Sequence, residues 1–373
     1  MQPMLDSIRD KEILSKMVAT PKLSPEARAR LLREVSQRLK FRVLTPWRKS
    51  RIGFDEAYFL GMYHGEKTDA EMARYVGRMR QSKFHLACND SGWFATAQDK
   101  ALYYTILKGA GLAVPEPLGF VGPKRREGLG IWIGSPEALQ EFFNAQTQWP
   151  LFTKPVDGMF SLGAMKLLGL DGDMLQVQNE EPVRVPELWQ YMNVMSARGF
   201  LIQSCLRPSA FAAQNFSDVI ASVRMLVLFS GSEAQIESAV LKIPGGQHVA
   251  DNFWRPGNML AAVDETGKIT RVLMGKGLDQ KQVDMHPVTG VHFAGLQIPN
   301  WSEISSEVIK AAALMPGIRT QSWDVGLTEN GPHLLEVNFG GDLDLHQMAH
   351  QRGILSDNYI MHLVACGVKL TGV

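Results

Sequence analysis

A pair of like charges placed across a β-hairpin constrains this chain more than any other feature. Two runs of strand-forming residues, RTQSWDVGLT and HLLEVNF, flank Glu329-Asn330-Gly331, which predicts two antiparallel strands and a tight turn. With a three-residue loop centred on Asn330, Asp324 stands opposite Glu336, and Asn338 shares the face of Glu336 by the two-residue strand period. Two ionised carboxylates in that position repel each other. A divalent cation beside the neutral Asn338 oxygen relieves the repulsion, and three hard oxygen donors suit Mg²⁺. A two-residue Asn330-Gly331 turn would instead shift the register by one. Asp324 would then lie on the opposite face, and the charges would be incidental.

The rest of the composition excludes several classes. The 373 residues suffice for two or three domains, and 39 Lys+Arg against 38 Asp+Glu leave a net charge of +1. So balanced a chain has no global field for a polyanion, and nucleic acid is not implied. Cys88, Cys205 and Cys366 are scattered, with no CxxC, no zinc spacing and no disulfide framework. That usage fits a reducing compartment. The start of the chain lacks the apolar core of a signal peptide, and no run of about 18 apolar residues predicts a membrane span. The expectation is a cytoplasmic globular protein that works away from membranes.

Four stretches differ in texture. Residues 1–85 are polar and helix-prone, with Ser24-Pro25-Glu26 as a helix start and a basic run of Lys40, Arg42, Arg48, Lys49 and Arg51. Residues 86–148 hold a helix ended by Gly109 and Gly111, followed by a Pro-rich entry into a strand. Residues 149–206 read as three strands, a helix and a strand, a small α+β unit. Residues 207–373 add further strands, a helix over WSEISSEVIKAAALM, the hairpin and two last helices.

Two more features bear on chemistry. Lys154 lies in the apolar strand LFTKPV and precedes a loop containing Gly158, Ser161 and Gly163. Such a loop can cover phosphates, with the lysine as point charge; it can equally be an edge lysine before a hairpin turn. Arg224 interrupts the apolar run ASVRMLVLF and must face a carboxylate or a phosphate, because burying a lone guanidinium is costly. His346 and His350 share a helix face, as a metal pair or as surface or capping groups. Cys205 reads as a small core residue. The phosphate loops GxxxxGK[ST] and GxGxxG are absent, as are HExxH and GxSxG.

Taken in order, these features resemble the ATP-grasp superfamily, and most closely its sugar-transfer-associated group. Gln98-Asp99-Lys100 with Gly111 and Pro115-Glu116-Pro117 is similar to the family's entry to the nucleotide domain. Lys154 and its loop look like the phosphate-binding lysine and flap, and Leu201-Ile202-Gln203-Ser204-Cys205-Leu206 resembles the hinge that holds adenine. Lys242-Ile243-Pro244-Gly245-Gly246, Ala250-Asp251-Asn252-Phe253, His286-Pro287, Gly295-x-x-Ile298-Pro299-x-Trp301 and Trp323-Asp324…Glu336-Val337-Asn338 follow in sequence. Ser204 and Cys205 depart from the hinge pattern, where a carboxylate is usual.

The resemblance implies an α+β ATP-grasp fold, with two antiparallel-sheet lobes clasping ATP and an additional helical N-terminal region. Residues 86–148 would precede a small lobe at 149–206 and a large, metal-bearing lobe at 207–373. It also implies an ATP- and Mg²⁺-dependent ligase joining a small-molecule carboxylate to an amine, or a hydroxyl, through an acyl phosphate. The alternatives are a phosphotransferase on the same fold or a non-catalytic nucleotide-binding module. Lys100, Lys154, Gly158, Ser161, Gly163, Gln203, Ser204 and Leu206 would bind the nucleotide. Arg224, Lys154 and Lys242 would serve catalysis, with Asp324, Glu336 and Asn338 on the metal. A homodimer is left open, as are substrate contacts by His286, Arg255, His346 and His350.

Overall fold

The computed structural model describes residues 29, 52, 54–62, 67–158, 161–245, 250–275 and 280–370. The helix start at Ser24 and the basic run from Lys40 to Arg51 lie outside the described residues. The apolar runs become two seven-stranded sheets. The first holds β1 (Pro117–Val121), β2 (Ile131–Ile133), β3 (Leu151–Pro155), β4 (Met165–Asp171), β5 (Met174–Val177), β6 (Val183–Arg184) and β7 (Phe200–Ser204), in the order β2-β1-β7-β3-β4-β5-β6. β1 and β2 come from the 86–148 stretch, yet they extend the sheet of the stretch that follows. β1 pairs with β2 in parallel, and every other described pair is antiparallel.

The second sheet holds β8 (Ser222–Phe229), β9 (Ala234–Ile243), β10 (Met259–Val263), β11 (Ile269–Met274), β12 (Lys281–Gln282), β13 (Thr320–Thr328) and β14 (Gly331–Phe339), in the order β12-β11-β10-β9-β8-β13-β14. Every residue of β8 and β13 is buried, as befits strands covered on both faces. Strand parity sorts their side chains. Val223, Met225, Val227, Trp323 and Val325 join the core under the helix Trp301–Ala313, and Leu226 and Leu228 join another cluster on the opposite face. Gln321 donates to the carbonyls of Ala312, Met315 and Ile318, which satisfies groups the helix end leaves open. Arg224 has the parity of Leu226, so it points away from the helix Trp301–Ala313.

The helix Lys100–Gly109 joins the two sheets. Its Tyr103, Tyr104 and Leu107 pack in one core with Phe120 and Leu201 of the first sheet and Val223 and Met225 of the second. Asp99 caps this helix, accepting from Ala101 and Leu102, and it also binds Arg126 at 2.7 Å. The cap fixes where the helix begins, and therefore where Lys100 stands.

The hairpin reaches the expected pairing by an unexpected route. Thr328 pairs with Gly331, so the loop is the two-residue Glu329-Asn330, not the three-residue loop that the turn signal suggested. From Thr328 to Val325 the register runs one residue out of step with an Asp324–Glu336 pairing. A bulge between Val325 and Asp324, which passes over Leu335, restores it, and Asp324 faces Glu336 with Ser322 facing Asn338.

Candidate active site

A cleft of about 590 Å³ opens between the sheets, and strand parity determines what it receives. In the second sheet Ser222 pairs with Lys242 and Arg224 with Asp324, which in turn pairs with Glu336. These residues therefore share one face across four adjacent strands. Arg224 donates to Asp324 through Nε and Nη2, both at 2.7 Å, while Lys242 Nζ reaches Asp324 Oδ2 at 2.9 Å. Burial by itself would raise the Asp324 carboxyl, but Arg224 and Lys242 overcome it and hold the group well below the usual carboxylate range. Burial works against the charges of Arg224 and Lys242, but Asp324 for the first, and Asp251 with Asp324 for the second, overcome it and raise both pKa values.

Two further acids complete this wall. Lys242 lies 3.4 Å from Asp251, which also accepts a short hydrogen bond from Ser222. Burial pushes the Asp251 carboxyl up, with Lys242 and Ser222 opposing. Asp342 meets Arg224 at 3.3 Å. It is delivered by Gly340-Gly341, where φ is +109° and +75°. A Cβ on Gly340 would lie 2.1 Å from the His85 ring, so only glycine lets the chain pass.

The facing wall belongs to the first sheet and its linking helix. Lys154 on β3 places its Nζ 5.2 Å from the centre of the Tyr104 ring, and Tyr104 donates to Gln203 at 3.2 Å. Burial pushes the Lys154 ammonium down to about 8, partly offset by Glu336 and Asp324. Lys100 donates to the Gly158 carbonyl and lies 3.7 Å from Glu336 across the cleft. Burial lowers its pKa too, with Glu336 opposing.

Repulsion between Asp324 and Glu336 is thus relieved by protein cations. Arg224 binds Asp324 directly and stands 4.0 Å from Glu336. The donor set nevertheless fits a hard divalent cation. The Glu336 side chain is 33% exposed, with its nearest cations beyond hydrogen-bond reach. The buried Asn338 amide nitrogen has no hydrogen-bond partner among the described residues, so that amide is not committed to them.

Of the residues singled out in the sequence, Lys100, Lys154, Gly158, Ser161, Gln203, Leu206, Arg224, Lys242, Asp324, Glu336 and Asn338 line the cleft. Gly163 and Ser204 do not. Cys205 lies half-buried on the wall and not in the core, with its thiol raised by burial. His286 is buried outside the cleft, 3.3 Å from the Pro244 carbonyl, and Arg255 is not on its wall. His346 bonds Ser238 and His350 bonds the Ala239 carbonyl, so both rings serve β9 instead of a shared metal. Asp251 and Asp342 were not singled out. The Ala250-Asp251-Asn252-Phe253 motif and the glycine pair before Asp342 were the available signals.

No helix among the described residues is long and apolar enough to cross a membrane. A search of curated proteins finds no match. Similar solved structures include a biotin carboxylase–β,γ-ATP complex from Campylobacter jejuni, at 10% identity and TM-score 0.46, covering 77% of this chain and 50% of that one. The chain spans about half the length of that enzyme. The VanG D-Ala:D-Ser ligase of Enterococcus faecalis is 14% identical with TM-score 0.40, covering 84% of this chain and 69% of that one. The D-alanine-D-alanine ligase of Helicobacter pylori is 15% identical with TM-score 0.37, covering 73% and 60%. The family model described as sugar-transfer associated ATP-grasp matches residues 79–361, most of the length, and the chain belongs to that family, with its ATP-grasp fold.

Proposed function

We propose that the cleft binds ATP with Mg²⁺ and joins a small-molecule carboxylate to an amine, or a hydroxyl, by way of an acyl phosphate. The observation that carries this reading is the meeting of two walls. Lys100 and Lys154 come from one side, and Glu336 and Asn338, beside Arg224, from the other, with Lys100 and Glu336 only 3.7 Å apart. Six cations (Lys100, Lys154, Lys166, Arg198, Arg224, Lys242) and six acids (Asp157, Asp218, Asp251, Asp324, Glu336, Asp342) line the cleft and balance. A triphosphate entering alone would upset that balance, and one entering with a dication would do so far less.

In this reading Lys100 and Lys154 hold the α- and β-phosphates and Gln203 lies at the adenine end. Glu336 and Asn338, with the remaining lone pairs of Asp324, would hold Mg²⁺, whose chemistry there is to neutralise charge on the β- and γ-phosphates. The substrate carboxylate attacks the γ-phosphorus as the bond to the β-phosphate oxygen breaks, releasing ADP. The amine then attacks the acyl carbon and inorganic phosphate leaves. Arg224, held rigid by Asp324, supplies positive charge where the transferring group becomes more anionic, and catalysis is mainly positioning and charge stabilisation.

An ADP-release assay over amino acids, amino sugars and small carboxylates, with mass spectrometry of products, tests the proposal. Glu336→Gln is expected to abolish turnover while changing folding stability by no more than about 1 kcal/mol, since the side chain is partly exposed. Release of free phosphate only when both acceptors are present supports the ligase. A stable phosphoester would assign the cleft to a phosphotransferase. Turnover by Glu336→Gln equal to the parent's would remove Glu336 from the site.

A further inference from the structure

Two of the three cysteines, far apart in sequence, come together with a histidine on the same face of the second sheet as Arg224, beyond the end of the cleft. Cys88 ends the helix Arg78–Cys88, and Cys366 caps the helix Asp357–Ala365 one turn beyond His362. The two sulfurs and a ring nitrogen of His362 all lie within 4.8 Å of one another, and Cys366 Sγ is 3.6 Å from His362 Nε2. Both cysteines are free thiols. Cys88 and His362 are buried beside Leu226, Leu228, Tyr359 and Leu363, while Cys366 is half-buried.

The fold holds these groups in place by itself. Asn89, next to Cys88, accepts from the Thr320 N–H at 2.8 Å and donates to the Thr320 carbonyl at 3.2 Å, which pins the end of its helix to β13. Cys366 N–H donates to the His362 carbonyl at 2.9 Å, and the four-residue spacing keeps both side chains on one face.

We propose that Cys88, His362 and Cys366 bind a zinc ion, which clamps the helix Arg78–Cys88 to the C-terminal helix. Tetrahedral zinc at about 2.3 Å from sulfur and about 2.0 Å from nitrogen sets S···N at about 3.6 Å and S···S at about 3.8 Å. The Cys366–His362 S···N separation already has the first value, and since no separation in the set exceeds 4.8 Å, the two sulfurs need to close by at most about 1 Å to reach the second. Binding forms two Zn–S bonds and one Zn–N bond. Two S–H bonds break, both protons pass to solvent, and no oxidant is required. A dication with two thiolates is neutral, which an apolar surround accepts. His362 Nε2 exchanges its 3.0 Å contact with the Thr320 hydroxyl for the metal, and that hydroxyl becomes available to a thiolate. Water reaches the fourth position on the exposed side of Cys366. A disulfide would use two of these groups and leave the imidazole without a part.

The clamp bears on the cleft as well. The helix Arg78–Cys88 carries Gln81 and His85 onto the cleft wall, where Gln81 donates to the Gly341 carbonyl at 2.9 Å.

The test uses the full chain, reduced and stripped of metal, titrated with Co²⁺ and then Zn²⁺. One equivalent of Co²⁺ should give visible thiolate-to-cobalt absorption that Zn²⁺ displaces, and saturating Zn²⁺ should raise Tm by about 5 °C. Cys366→Ser and His362→Ala should lose the absorption, and Cys205→Ser should keep it. In the unmutated protein, Zn²⁺ should slow alkylation of Cys366 at least roughly tenfold, a readout that needs no variant to fold. Absence of the absorption, its survival in Cys366→Ser, or equal alkylation with and without Zn²⁺ would overturn the site.

Discussion

The two walls of the cleft treat positive charge in opposite ways. On the second sheet, that of the large lobe, Arg224 and Lys242 are deeply buried and each meets Asp324 within 2.9 Å, so their charges are satisfied by the protein itself. On the first sheet, that of the small lobe, Lys154 rests against an aromatic ring, has no carboxylate within ion-pair distance among the described residues, and burial lowers its pKa to about 8. The first arrangement is a scaffold that sets geometry. In the proposed reading, the second is a receptor that an anion completes. Burial is common to both; the difference lies in whether a partner comes from the same sheet.

The largest effect should come from breaking the satisfied wall. Asp324→Ala leaves Arg224 and Lys242 buried without their main counter-charge and is expected to cost about 3–5 kcal/mol of stability, read by urea denaturation. Acid should reveal the same dependence. Asp324 binds fewer protons folded than unfolded, so its contribution is fully present above about pH 4 and is lost as pH falls further. Asp324→Asn should flatten that acid limb. A variant as stable as the parent would mean that the charges of the second sheet do not depend on one another.

On the opposite wall, Lys154→Ala should do the reverse. Stability should change by no more than about 1 kcal/mol, because the mutation removes a desolvated charge and leaves no buried carboxylate unpaired. ATP affinity should drop roughly ten- to hundredfold, the value of a charge-assisted hydrogen bond of about 1.5–3 kcal/mol. Calorimetric titration measures it, and unchanged affinity would remove Lys154 from the nucleotide site.

A smaller, sharper distinction is available from protons. With its pKa lowered by burial to about 8, Lys154 is partly neutral at pH 8.5 or so, whereas a bound phosphate favours the charged form. Nucleotide binding should therefore take up a fraction of a proton near that pH and weaken as pH rises beyond it. Titrations in buffers of different ionisation heat detect the uptake, and Lys154→Arg should abolish it while retaining binding. Stability moves the other way: the unfolded chain holds the Lys154 proton more tightly, so this residue's contribution to stability increases between about pH 8 and pH 10.4. No proton uptake near pH 8.5 would mean that the two walls do not differ in this respect.

Strand parity made much of the site legible in advance. It placed Glu336 and Asn338 on one face and required an anionic partner for Arg224, because both inferences need only the two-residue period and the cost of a buried charge; Asp324 joined that face only under one of two turn lengths. The hairpin reached its pairing through a shorter turn and a compensating bulge, two local features that cancel and that the turn residues do not reveal. The cation thought necessary between the two carboxylates was underdetermined, since Arg224 and Lys242 approach from strands distant in the chain. Asp251 and Asp342 arrive on loops, where residue type carries no direction, and they were passed over for that reason. Cys205 was assigned to the core from its apolar neighbours, but it ends on the cleft wall just beyond β7.

By itself, then, the sequence determined the strands, the order of charges along them and which charges of one strand share a face, since these follow from backbone geometry within a few residues. The tertiary structure alone decided which charges neutralise one another, which are left for a ligand, and that Cys88 would meet His362 and Cys366. Those outcomes depend on distances of a few ångströms between segments tens to hundreds of residues apart, which are set by how whole sheets and helices pack.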